Sequence, residues 1–462
     1  MLALVLTLSA ALPQIPVQAS SLLIIAPPEL LAAVQPLLAH KNATGLPATA
    51  VSLKDALANA VAATGCDDAE RLKRFLFARK QSDASLQFVL LVGDADVMPV
   101  RFMTLDRVTE SAFDVAFYPS DLYYADLSKQ DGSFETWNGM QAGHHRGYFG
   151  EVHGEKHKQD KINFDGIDYL PEIAVGRWPV STAAQVERMV QKTILFEQWT
   201  EEGGGRTAAI LCVKGWLDVR PQLQRLATVL RDPFSVQRLF WQDGKPDPAI
   251  LAPSAKNVLA LCNDGLGVLL HTGHGSEQGF DQCLGTAQLT ELTNEHPFVV
   301  MSIGCTTARL CTLPPYEAYV DVDGVLHQGT NAGEIFTSPP PPPCPYQHGA
   351  HNTTSFGEQL LRDTAHGAVA YIGCDTGGQP CALTLLTSFT EGLEDRSMKA
   401  LGSAWNFAIA AYHRSERLTE LTPSESWYPP SIYFQAMKYL LLGDPSLRLP
   451  ARSALPASNT AR

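Results

Sequence analysis

The sequence has no C-x-x-C pair among its nine cysteines, which removes the spacing on which zinc ribbons and dithiol redox motifs are built. Positive charge is scarce beside negative: 35 Lys and Arg stand against 48 Asp and Glu, a formal net charge of −13. A chain of that sign does not neutralise phosphates or hold to anionic lipid, so nucleic acid is excluded as an electrostatic partner and so is an anionic membrane surface. Beyond the N-terminus no stretch reaches the roughly 20 apolar residues that cross a bilayer, so stable membrane insertion is not expected. No EF-hand spacing occurs. What remains is an ordinary globular composition, 45% hydrophobic and 18% charged, over 462 residues. That length supports two or three domains with proper cores.

Residues 1–19 are apolar and carry no acid or base. Residues 2–12 fit the apolar centre of an export signal, and Val17-Gln18-Ala19 fits a small-x-small cleavage site. The missing basic start leaves an ordinary buried segment as the alternative. The chain is therefore expected to be secreted or extracytoplasmic. In an exported chain an odd number of cysteines leaves one thiol free, and Cys305 is the choice for it.

Short apolar runs alternate with helical spacing along most of the chain. Runs at 22–26, 48–53 and 86–92 read as strands, and 29–40, 54–63 and 67–79 as helices. The pattern implies a mostly parallel α/β sheet. A strand at 171–180 and a helix reaching 202 close an N-terminal α/β unit, 20–202, at Gly203-Gly204-Gly205. The rhythm restarts in a second unit, 206–450, with helices expected at 400–414 and 431–442 and a closing strand after Ser446. Residues 451–462 read as a tail. Two stretches interrupt the rhythm. Residues 120–168 form a long acidic and His-rich excursion, and 316–354 an insertion whose run Pro339 to Pro343 reads as an exposed polyproline II spacer. Carboxylates of the excursion, Asp121 and Asp126 first, are candidate ligands for a structural calcium ion, a hard cation that wants oxygen. Its histidines, His144, His145, His153 and His157, read better as a solvated loop than as a metal site.

The stretch 268–305 carries the chemistry. Two buried-type runs, 268–270 and 298–303, each end at a glycine-flanked reactive residue: His274 between Gly273 and Gly275, and Cys305 after Gly304. On neighbouring parallel strands both side chains reach the carboxyl edge of the sheet, where open α/β sheets place ligands. A thiol and an imidazole suffice for nucleophilic acyl transfer. The bland alternative is a core thiol and a turn histidine. His271 ends its strand and reads as structural.

These stretches resemble the gingipain-like cysteine peptidases, relatives of the caspases. The matching segments are Phe88-Val89-Leu90-Leu91-Val92-Gly93-Asp94, Ile173-Ala174-Val175-Gly176-Arg177, Thr272-Gly273-His274-Gly275-Ser276-Glu277, residues 297–305, and Leu442-Gly443-Asp444-Pro445-Ser446-Leu447. The resemblance implies a caspase-like α/β/α sandwich preceded by a smaller α/β subdomain. It implies a His274–Cys305 dyad, with the backbone N–H groups of Gly275 and Cys305 as the oxyanion hole and no cofactor needed for catalysis. A protein or peptide substrate follows. There are departures. No glutamate stands near Lys214 to support the histidine. Asp218 is the nearest carboxylate, and it is a candidate for capping a helix, orienting His274 or binding a basic substrate side chain. No tryptophan stands near Gly377-Gly378 to cover a specificity pocket. The functions this leaves are an exported cysteine endopeptidase, a transpeptidase of the same fold, or a silent binding scaffold.

Overall fold

The computed structural model describes residues 20–106, 115–139, 145–154, 158–230, 234–244, 247–395, 397–426 and 428–450. The export signal expected at 1–19, the tail at 451–462, His144 and His157 lie outside them. Ten strands make one sheet: β1 (Ser21–Ala26), β2 (Ala48–Ser52), β3 (Leu86–Val92), β4 (Ala174–Trp178), β5 (Thr207–Cys212), β6 (Ser235–Phe240), β7 (Val268–Thr272), β8 (Phe298–Ser302), β9 (Ala368–Cys374) and β10 (Tyr439–Leu442). Their order is β2-β1-β3-β4-β10-β9-β8-β7-β5-β6. All neighbours are parallel except β9 and β10. The two halves of the sheet thus run in opposite senses, and β10 is the seam.

Alternation along each strand divides the core in two. Leu23, Leu91, Leu270 and Met301 pack on one face, and Leu22, Leu90, Leu269 and Val300 on the other. Helices cover both faces, which is why the strands read as near-continuous apolar runs. The result is the expected α/β/α sandwich.

Local chemistry moved several boundaries. The first helix starts at Gln35 and not at residue 29, because Pro36 is tolerated only in a first turn. A helix at Ala382–Glu394, unmarked by any N-cap side chain, was not expected. The helix expected at 431–442 is a short one, Tyr428–Tyr433, followed by strand β10. A short apolar run such as Leu440-Leu441-Leu442 fits either state. The sheet decides it, since the run lies between β9 and β4 with every residue buried.

The proline run is not a free spacer. The Tyr148 hydroxyl donates to the Pro340 carbonyl at 2.6 Å, the Tyr319 hydroxyl to Pro341 at 2.9 Å, and the Val322 N–H to Pro342 at 3.0 Å. A polyproline helix makes no internal hydrogen bonds, so its carbonyls are open to such donors. Further along, Pro345 and Ala95 carbonyls accept from Val100 and Gln347 N–H groups at 2.8 and 2.9 Å. The insertion after Cys305 is thereby fastened to the N-terminal half.

Buried charges tie the halves together. Lys41 Nζ lies 2.6 Å from Glu197 and 2.7 Å from Asp444, all three carried by different elements and nearly free of solvent. Burial alone would raise the Glu197 pKa, but His40 and Lys41 outweigh it and hold it at about 2. A carboxylate lowered in this way stabilises the fold above its unfolded pKa near 4.5 and loses that contribution as pH falls toward 2. Acid titration of stability should therefore steepen below pH ~4.5, and Glu197→Gln should flatten that limb. An unchanged limb in the variant would show that Glu197 does not carry it.

Candidate active site

The carboxyl ends of β5, β7, β8 and β9 meet at one edge. β7 and β8 pair with His271 opposite Ser302, so Gly273-His274-Gly275 and Gly304-Cys305 leave the sheet side by side. At Gly273, φ is +111°, and a Cβ there would sit 2.4 Å from the Val213 carbonyl. Only glycine fits. The His274 backbone is pinned from both sides, its N–H donating to Lys214 and its carbonyl accepting from Asp281, each at 3.1 Å. The second bond makes Gly275 and Phe280 a non-hydrogen-bonded pair of their short ladder, which leaves the Gly275 N–H outside it. A Cβ on Gly304 would come within 3.2 Å of the Gly275 nitrogen and 2.9 Å of His271 Cε1. The two turns touch because neither glycine carries a side chain.

Past Cys305 the chain turns through Thr306 at φ +50°, a left-handed conformation rare for a β-branched residue. The Thr306 N–H donates to the Thr376 carbonyl at 2.8 Å, and its hydroxyl lies 3.4 Å from the Glu277 carboxylate. Cys305 stands at the apex, half-buried. The Gly378 N–H donates to its Sγ at 3.3 Å, a contact that strengthens as charge builds on sulfur. The Cys305 N–H makes no hydrogen bond among the described residues. Cys305 and His274 line one cleft with Trp216, Ile303, Gly378 and Leu383. The Trp216 ring, 86% exposed, lies 6.1 Å from the His274 ring.

His271 is different. It is fully buried, stacked 3.8 Å from Phe280, with Nδ1 2.8 Å from Ser302 Oγ. Burial lowers its pKa to about 3, so the ring is neutral. Ser302 Oγ also accepts from the Gly304 N–H at 3.2 Å and lies 3.1 Å from Thr307 Oγ1. This buried network braces the turn that carries Cys305.

The other candidates are placed elsewhere. Asp218 is paired with Arg220 at 2.8 Å and accepts its backbone N–H at 3.1 Å. Val219, not Asp218, holds the N-cap position of the following helix Arg220–Val229. The Asp218 side chain lines a neighbouring depression with Trp241 and Asp243 and is absent from the lining of the Cys305 cleft. Asp121 grips Arg177 through two bonds of 2.7 and 2.8 Å. Asp126 accepts from Trp137 Nε1 at 2.7 Å, and burial raises its pKa to about 8. Among the described residues no three His, Cys, Asp or Glu side chains converge as metal ligands. The excursion that carries both carboxylates is no solvated loop in its described part. Tyr123, Trp137, Phe149 and Tyr169 form an aromatic core, His153 stacks 4.3 Å from Phe164, and His145 lies 2.6 Å from Glu151. Cys305 is not the one thiol left over from paired cysteines: all nine cysteines are free thiols, five of them buried.

Sequence reasoning missed Gly378 and Trp216. The signal for the first was present: Gly377-Gly378 follows β9 at the same sheet edge, where bare backbone can approach a ligand. For Trp216 the sequence offered only its place on the loop after β5.

Comparison with known proteins bears on this geometry. The fold is similar to the crystal structure of the Arg specific cysteine proteinase gingipain R, at 16% identity and TM-score 0.59, covering 95% of this chain and 80% of that one. It is similar to the complex of Porphyromonas gingivalis RgpB pro- and mature domains, at 16% identity and TM-score 0.57, covering 93% and 80%. A third structure, described as a protease, matches at 17% identity and TM-score 0.58, covering 95% and 82%. No curated protein matches. No helix of the described residues is long and apolar enough to cross a membrane. The profile of peptidase family C25 matches residues 15–450, nearly the whole sequence, and the chain belongs to that family.

Proposed function

We propose that the chain is an exported cysteine endopeptidase working through His274 and Cys305. The observation that carries this is the contact of the two turns. It brings His274 and Cys305 to the lining of one cleft, with the Gly275 N–H, outside its short ladder, against the turn that carries Cys305. In the reaction Cys305 attacks the scissile carbonyl, and the Gly275 and Cys305 N–H groups receive the oxyanion. His274 takes the thiol proton and passes it to the leaving amine as the C–N bond breaks, then takes a proton from the water that attacks the thioester and returns it to the departing sulfur. The Gly378 N–H steadies the sulfur before attack and after release. Labelling with a thiol-directed peptide electrophile tests the reading. It should modify Cys305 in preference to the other eight thiols, because Cys305 alone among them lines the cleft; five of the others are buried, and desolvation together with the Asp67 charge pushes the exposed Cys66 thiol up to about 12. Failure to label Cys305 in folded, reduced protein returns the chain to a binding scaffold. Export should give a mature N-terminus at Ser20, read by N-terminal sequencing; a retained Met1 contradicts it.

The contact also predicts a mutant. In Gly304→Ala the added methyl displaces the Gly275 N–H and presses on His271. Turnover should fall roughly 100-fold or more, the usual loss for one oxyanion donor. Cys305 should still react with iodoacetamide. A variant with normal turnover would detach the Gly275 N–H from catalysis.

A further inference from the structure

We propose that the cleft beside Cys305 receives an uncharged apolar side chain, so that the enzyme cuts after residues such as leucine or phenylalanine and not after arginine or lysine. This rests on the peptidase reading above and names its substrate class.

Chemistry of the lining comes first. Val213, Val219, Ile303 and Leu383 form the walls, and Thr272 and Gln379 are the polar exceptions with neutral side chains. Val219, Ile303 and Leu383 are only partly buried against the core, so each keeps surface for a ligand to cover. No carboxylate lines the cleft. The one acid on the adjoining loop, Asp218, is turned to Arg220, whose guanidinium stacks 3.4 Å from the Trp241 ring. That charge is already matched and faces the next depression.

A nearby cation points the same way. Lys214 is not that cation: its Nζ lies 5.3 Å from the Trp241 ring and faces the next depression. Lys438, 2% exposed, donates to the Gly377 carbonyl beside Gly378. An arginine or lysine side chain entering here would give up water, find no partner and meet like charge.

The lip supplies the last observation. Trp216 holds an indole ring almost wholly in water within 6.1 Å of His274. A large apolar side chain seated beside Cys305 would cover that ring, a gain that a charged group does not offer.

The experiment uses peptidyl acyloxymethyl ketones identical except at the residue next to the warhead: Leu, Phe, Arg, Lys or Asp. Labelling of Cys305 is followed by intact mass and peptide mapping. Leu or Phe probes should react at least about 100-fold faster than the charged ones. Fastest labelling by Arg, Lys or Asp, or rates within tenfold for all five, overturns the pocket assignment and leaves the peptidase reading standing. If no peptide probe labels Cys305 while iodoacetamide does, both fall. Leu383→Asp should raise the Arg-to-Leu rate ratio at least about 100-fold; an unchanged ratio in the folded variant places the side chain elsewhere and overturns the assignment too.

Discussion

Cys305→Ala should lower peptide hydrolysis by roughly 10⁴-fold or more while the melting temperature stays put. The side chain lies at a turn apex, half-exposed to the cleft, and its loss opens no cavity in either core. His274→Ala should fall to a similar floor. The double variant should be little worse than either single one, because a nucleophile and its base act as a unit and their losses do not add. The control is His271→Gln. His271 touches Ser302 and Phe280 within the core and does not line the cleft. A neutral amide retains a partner for Ser302 but not the ring stack, so a stability loss of about 1–3 kcal/mol is expected with turnover largely kept. Folded His271→Gln protein without activity, beside an active His274→Ala, would reverse the assignment of the two histidines.

Lys41→Met should be the most destabilising single change away from the site, at about 3–5 kcal/mol. Its ammonium sits between Glu197 and Asp444, whose side chains are fully buried. Without it two carboxylates face each other in a dry interior, with His40 at 2.8 Å and Arg448 at 3.6 Å left to answer Glu197. Breaking one partner of a buried pair is costly because the survivor stays charged and unsolvated. Denaturant unfolding of the variant checks this. A midpoint within experimental error of wild type would mean that water or a rearranged Arg448 replaces the ammonium. Because the cluster joins the helix after β1, the helix before β5 and the turn after β10, its loss should loosen the halves together.

The strand ends at His274 and Cys305 are legible in the sequence because short branched runs stopped by glycine have few other readings. So is the parallel α/β alternation. Three things are not. The run Leu440-Leu441-Leu442 has no period that separates strand from helix, and only its neighbours in the sheet settle it. The proline run looks like a spacer because its role depends on Tyr148 and Tyr319, one of them 192 residues away from the carbonyl it meets. Asp218 has the right loop and the right charge for a substrate contact, yet Arg220 two residues on captures it. Competition of that kind is decided by side-chain geometry, which spacing does not encode.

The seam strand sets an order of events during synthesis. β10 is the last strand of the sheet to leave the ribosome, yet it takes the fifth of ten places, between β4 and β9. Until residue 442 emerges, the half-sheet β2-β1-β3-β4 and the half-sheet β9-β8-β7-β5-β6 each present an unpaired inner edge. Such edges are templates for pairing with another chain. The nascent protein therefore passes through an interval, longer than for a sheet whose final strand lies at its rim, in which both edges need protection from other strands.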